Sequence, residues 1–143
     1  AKNRMFDMRL PNVLRPMRPM SLLTFPINAY TGMPNTAIYA ASNAAMNSYT
    51  RPAARELAPR GIRVSAVNPG LISTPIFGKT GMPETNLNGL AQAMQERIPL
   101  KRFGEVKGVA NLEAFLASDE ASFIIGGEYN VDGGMNINPL LAG

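Results

Sequence analysis

The stretch IYAASNAAMNSYTRPAARELAPRGIRVSAVNPG, Ile38 to Gly70, decides the fold class because a helix pattern gives way to a strand pattern inside it. Ala40, Ala41, Ala44, Ala45 and Ala53 are strong helix formers, small enough for close packing, and predict a helix over 38–57. Pro52 falls inside it, where proline removes a backbone hydrogen bond and costs about 3 kcal/mol unless a kink is wanted. Ala58-Pro59-Arg60-Gly61 is a stop signal, with glycine suited to the left-handed residue after a helix. Ile62 to Val67 then reads as a strand, closed by Asn68-Pro69-Gly70.

Upstream, Ser21-Leu22-Leu23-Thr24-Phe25 is a short apolar run that reads as a buried strand, ended by Pro26. A loop with Gly32, Pro34 and Asn35 joins it to the helix. Residues 1–20 carry no sustained period, and Pro11, Pro16 and Pro19 break any helix that starts there. Downstream, residues 71–89 hold several turn formers and read as a long loop with room for a short helix. Leu90 to Arg97 is a predicted helix that Pro99 prevents from continuing. A clearer helix spans Glu105 to Ser118, where Val106, Val109, Ala110, Leu112, Phe115 and Leu116 mix three- and four-residue steps. Gly126-Gly127 precedes a last strand, Glu128 to Val131, ending at Asp132-Gly133-Gly134. Strands separated by helices predict an α/β fold with a parallel sheet. The chain divides into an irregular basic Pro/Met-rich segment, 1–20, and one α/β unit, 21–143.

Histidine and cysteine are both absent from the sequence. That removes the usual zinc and copper ligands, disulfides, and Ser-His-Asp or Cys-His nucleophilic catalysis. Met5, Met8, Met17 and Met20 read as gap fillers, not as metal ligands. The formal net charge is +4, and Lys2, Arg4, Arg9, Arg15 and Arg18 all fall early in the chain. Phe6 is the only aromatic among them, so no stacking platform accompanies the charges and no nucleic-acid partner is expected. No stretch approaches the ~20 apolar residues of a membrane span, and no secretory pattern opens the chain. The expected compartment is cytoplasmic.

Tyr39-Ala40-Ala41-Ser42-Asn43 reads Y-x-x-S-N. Four further blocks follow: Arg55 to Val64; Asn68-Pro69-Gly70 with Thr74; Arg97-Ile98-Pro99-Leu100 through Phe115 to Ser122; and Gly126 to Gly134. In this order and spacing, over about 21–137, they closely resemble the C-terminal portion of a short-chain dehydrogenase/reductase. The resemblance implies a partial Rossmann-like, doubly wound parallel sheet: the last three strands and their helices, lacking the N-terminal dinucleotide-binding half. It also implies hydride transfer between the nicotinamide of NAD or NADP and a carbonyl or alcohol. Tyr39 takes the position of the family's proton-transferring tyrosine. Tyrosine is a poor acid near neutral pH, with an unperturbed pKa of about 10. The family places a lysine one helical turn further on, whose ammonium stabilises the phenolate; that position is Asn43. The family's substrate-bonding serine position is Pro26, with Thr24 the nearest hydroxyl, and its helix asparagine has a counterpart in Asn12. Pro69, Gly70, Ile72 and Thr74 match the loop that contacts the nicotinamide end of the cofactor.

Without that frame, Tyr39 is an aromatic anchor at a helix start, Ser42 a small helix residue, and Asp119 with Glu120 a solvated helix-end pair. With it, the expectation is a truncated oxidoreductase, inactive alone, with Asn43 and Pro26 non-functional and no NAD or NADP bound by this chain by itself. Two alternatives stand beside it. One is a pseudoenzyme or assembly module that pairs with itself or with complete family members through helix 38–57 and the last strand. The other is a decayed, non-functional fragment. The substrate is not legible, since residues 75–96 carry no diagnostic chemistry. A missing neighbour strand would leave Leu22, Leu23 and Phe25 on an open edge, so association is expected over a soluble monomer.

Overall fold

The computed structural model describes residues 19–27, 35–74 and 84–137. The basic residues before position 19, Asn12, Gly32 and Pro34 lie outside the described residues. The elements run β1 (Met20–Thr24), α1 (Ala37–Leu57), β2 (Arg63–Pro69), α2 (Glu84–Glu96), α3 (Val106–Ala117) and β3 (Glu128–Val131). Short 3-10 turns at Ala58–Arg60 and Asp119–Ala121 end α1 and α3. Gly61 follows the first with φ 72°, the left-handed conformation the stop signal requires.

The three strands pair in the order β1-β2-β3, both pairs parallel. β1 sets Leu23 opposite Ala66, and β3 sets Asn130 opposite Asn68. β2 is the spine, with every residue from Arg63 to Asn68 buried. Pro69 ends it, where a missing N–H costs no ladder bond within the strand.

Strand alternation sends the β2 side chains to two opposite layers. Val64 packs with Ala53 and Ala54 of α1, and Leu23 and Leu57 close round that cluster. Arg63 points the other way. Its Nη1 donates to the Leu116 carbonyl at 2.6 Å and its Nη2 to the Ser118 carbonyl at 3.2 Å. A buried guanidinium thus satisfies the carbonyls at the C-terminus of α3, where the helix dipole favours a cation. Helices therefore cover both faces of the sheet, as parallel strands require.

Three local expectations shift. α2 begins at Glu84, earlier than the helix expected from Leu90. Thr85, Asn86, Asn88 and Gly89 are weak helix formers. The carboxyl end of α2 is anchored, however: Gln95 Nε2 donates to the Lys101 carbonyl at 2.7 Å, and Lys101 Nζ donates to the Glu96 carbonyl. Once one turn is held, extension back toward the amino end is cheap. α1 runs unbroken through Pro52, which sits on its exposed side near the C-terminal end. Phe25 is buried, not laid open on the edge, and its N–H still donates to the Val67 carbonyl at 3.2 Å. Leu22 and Leu23 are half-buried on β1, which is the edge of the sheet among the described strands. No helix of the described residues is long and apolar enough to cross a membrane.

Candidate functional site

In an open parallel sheet the chemistry gathers where the carboxyl ends of the strands release their loops. β2 releases Gly70, Leu71, Ile72, Ser73 and Thr74. This loop is braced from two sides. The Gly70 N–H donates to the Val131 carbonyl at 3.1 Å, tying it to the end of β3. A side chain at Gly70 would meet the Asp132 Cα at 2.7 Å, so only glycine allows the two turns to lie so close. On the other side Ile72 forms a parallel bridge with Gly104. The Gly104 N–H donates to the Leu71 carbonyl, and the Ser73 N–H to the Gly104 carbonyl, both at 2.9 Å. Asp132 holds its own turn. Its Oδ1 accepts from the Gly134 N–H at 2.8 Å and its Oδ2 from the Asn136 N–H at 2.9 Å.

Because bridge bonds alternate along the backbone, using Leu71 and Ser73 turns the Ile72 peptide groups to the opposite side. No hydrogen bond from the Ile72 or Thr74 N–H is formed within the described residues. The loop is braced on both sides and keeps two peptide donors unengaged among the described residues.

The start of α1 is organised differently. Tyr39 lies in its first turn, 48% exposed, and with Asn35, Ala37, Ile38 and Ser42 lines a shallow depression of about 630 Å³. Ser42 Oγ donates to the Tyr39 carbonyl at 2.8 Å and so serves the helix backbone. One turn on, Asn43 is buried, and its Nδ2 has no hydrogen-bond partner among the described residues. The inward stripe of α1 continues through Asn47, Thr50, Ala53 and Ala54. It is polar in its first half and apolar in its second. Thr50 Oγ1 donates back to the Met46 carbonyl at 3.0 Å. Asn68, fully buried on β2, donates from Nδ2 to Asn130 Oδ1 at 3.1 Å, while its own Oδ1 is unpaired among the described residues.

Pro26 stands just past β1, half-buried between the buried Phe25 and Ile27, and offers no donor. Thr24 does not replace it. Its Oγ1 donates to Glu113 Oε1 of α3 at 2.6 Å, which places it on the sheet face opposite α1 and Tyr39. The structure thus keeps Pro69, at the end of β2, together with Gly70, Ile72 and Thr74 of the loop it releases, sets Tyr39 at the start of α1, and forms no described hydrogen bond between the two. Sequence reading did not anticipate a cavity of about 760 Å³ beyond β3, walled in part by Leu100, Arg102, Lys107 and Ile137. A signal for it was present in Gly104 and the Gly133-Gly134 pair, glycines that let chain segments approach closely.

The profile of the family described as Enoyl-(Acyl carrier protein) reductase matches residues 19–136. The 3-oxoacyl-(acyl-carrier-protein) reductase FabG of Staphylococcus epidermidis is 47% identical over 104 residues, covering 73% of this chain and 40% of the relative. Its counterpart from Thermotoga maritima is 44% identical over 106 residues, covering 74% and 41%. Among solved structures, ligand-free aldohexose dehydrogenase of Thermoplasma acidophilum superposes with a TM-score of 0.79 at 30% identity, covering 90% of this chain and 52% of that one. A short-chain dehydrogenase/reductase mutant of Serratia marcescens gives 0.71 at 29% identity, covering 82% and 45%. The chain spans about two fifths of the length of the first group and about half of the second.

Proposed function

Since the chain belongs to the short-chain dehydrogenase/reductase family, we propose that it is the nicotinamide-side portion of an NAD(P)-dependent oxidoreductase and is inactive alone. The observation that carries this reading is the loop Gly70 to Thr74, braced by β3 and Gly104 with the Ile72 and Thr74 N–H groups uncommitted. Those groups fit the nicotinamide carboxamide. Asn43 does not fit the ribose and proton-transfer position, because a neutral amide supplies no charge there. When bound, the cofactor supplies or takes up a hydride at the substrate carbon. Tyr39 is the proton donor to the substrate oxygen, and it lacks the ammonium that would stabilise its phenolate. Pro26 leaves that oxygen without the hydroxyl partner a serine provides.

Calorimetric titration with NADH and NADPH tests the first half of the reading: no micromolar affinity is expected for the isolated chain. For the second half, this chain is fused behind the first half of a complete relative. Restoring the two groups with Pro26→Ser and Asn43→Lys is expected to raise carbonyl reduction by about 100-fold over the unrepaired fusion. Equal rates would show that these two positions are not the lesions.

A second reading, an assembly module pairing with itself or with complete relatives, draws on one observation. The outward side of α1 leaves Ile38, Tyr39, Met46 and Tyr49 exposed. Co-purification of a complete relative through this chain, lost on Tyr49→Ser, would favour it.

A further inference from the structure

The helix α2 is fastened at one end. Of its residues whose burial is described, Ala91 and Met94 are half-buried and the others are exposed. A helix of 13 residues with so little buried surface is marginal by itself in water. Its carboxyl end is locked instead. The Arg97 N–H donates to the Met94 carbonyl and the Ile98 N–H to the Gln95 carbonyl, both at 3.1 Å. Ile98 is buried, and the Leu100 N–H donates to the Gly133 carbonyl at 3.2 Å, which fixes this segment to the turn after β3. Lys101 closes the lock in a left-handed backbone, φ 54°, which a lysine adopts only at a cost. Three bonds offset that cost. Its N–H donates to the Ile98 carbonyl at 2.8 Å, and its carbonyl accepts from Gln95 Nε2 at 2.7 Å. Its Nζ donates to the Glu96 carbonyl, where the helix dipole favours a cation.

Toward the other end stands Asn88-Gly89, the only Asn-Gly pair in the sequence, and both residues are exposed. Such a pair holds an electrophile and a nucleophile side by side: the carboxamide carbon of Asn88 and the peptide nitrogen of Gly89. Glycine carries no Cβ to obstruct the attack. A helix suppresses it, because the Gly89 N–H is committed to the carbonyl four residues back. The helical ψ of Asn88 also keeps that nitrogen away from the carboxamide carbon. Asparagine and glycine are both weak helix formers, so opening at this point costs little.

We propose that Asn88-Gly89 is a self-modifying site and that the Lys101 lock at the far end of α2 sets its rate. The Gly89 nitrogen gives up its proton and bonds to the Asn88 carboxamide carbon, whose bond to Nδ2 breaks and releases ammonia. Water then opens the five-membered imide. Opening at the former carboxamide carbon leaves an aspartate; opening at the main-chain carbonyl carbon leaves an isoaspartate. Solvent water is the only co-reactant, and no electrons are exchanged. Either product puts a carboxylate where a neutral amide stood, and isoaspartate lengthens the main chain by a methylene, which the helix cannot accommodate. The observed rate is the rate in the open chain multiplied by the fraction of time α2 is open at Gly89.

Peptide mapping by mass spectrometry of the 143-residue chain, incubated in buffer and in concentrated urea, tests the proposal. Asn88 is expected to be modified ahead of every other asparagine, and faster in urea than in buffer. Labelling by an isoaspartyl methyltransferase reports the isoaspartate. Lys101→Ala is expected to raise the rate in buffer by about 3-fold. It should leave the rate in urea unchanged, since no helix remains there to lock. Lys101→Arg should keep the slow rate, because a guanidinium can also donate to the Glu96 carbonyl. Gly89→Ala, where the added carbon meets nothing within 4 Å, is expected to slow the reaction by about 5-fold or more. Asn47-Ser48, in α1, monitors global unfolding and should react no faster in Lys101→Ala. Earlier modification at another asparagine would overturn the site, and equal rates in buffer and urea would overturn the protection by α2. Equal rates in buffer for wild type and Lys101→Ala, or a parallel rise at Asn47, would overturn the lock.

Discussion

The loop after β2 and the first turns of α1 both belong to the carboxyl end of the sheet, yet they present different groups. The loop presents its backbone: peptide N–H groups, carbonyls and Gly70, whose missing side chain lets it lie against Asp132. The start of α1 presents side chains, and there the buried Asn43 keeps its Nδ2 without a hydrogen-bond partner among the described residues. A function carried by the main chain survives almost any substitution that preserves the turn. One carried by a side chain is lost with a single residue. The difference between the two regions is which groups each presents, not how well each is folded.

The largest expected effect falls on the braced loop. Gly70→Ala places a carbon 2.7 Å from the Asp132 Cα and Cβ, where part of the obstruction is main chain and cannot swing aside. It is expected to destabilise the chain by about 3 kcal/mol in urea unfolding. A cost below about 1 kcal/mol would mean that the β2 and β3 turns move apart freely, and the loop would lose its claim to be preorganised.

The start of α1 should respond in the opposite direction. Asn43 is 6% exposed and its Nδ2 is unpaired among the described residues, so the folded state bears the desolvation cost of that NH2 group. Asn43→Leu, of similar size, is expected to stabilise by about 1 kcal/mol and raise the melting temperature. Destabilisation would show that the amide is satisfied after all, and the contrast between the two regions would weaken.

Thr24→Val gives the smallest effect. It removes the exposed hydrogen bond from Thr24 Oγ1 to Glu113 Oε1 and is expected to cost about 0.5 kcal/mol. In the repaired fusion with a relative's first half, it should leave carbonyl reduction unchanged, because that hydroxyl faces α3. A loss of rate would place Thr24 beside the substrate.

The α/β class, the left-handed stop at Gly61 and the strand Glu128–Val131 were all legible, because each depends on periodicity or on a residue with restricted backbone freedom. The loop Pro69 to Thr74 was legible as a motif. Its bracing was not, since Gly104 and Val131 are remote in sequence and pair with it only through the sheet. The early start of α2 escaped because its residues have weak helix propensity and the anchor that holds it, Lys101, lies beyond its end. Arg63 read as one polar residue in a strand. Its service to the last carbonyls of α3 exists only because β2 runs beneath that helix.

The sequence by itself determined which groups the chain can bring to a reaction: a tyrosine at position 39, no lysine at 43, no hydroxyl at 26, and no histidine or cysteine anywhere. Covalent composition limits the chemistry whatever the fold. Tertiary structure alone decided where those groups face. Strand alternation turned Thr24 toward α3, helix packing buried the Asn43 Nδ2 without a partner among the described residues, and the approach of two glycine-bearing turns braced the Gly70 loop. Direction, burial and pairing are properties of contacts between segments distant along the chain, and a linear pattern does not encode them locally.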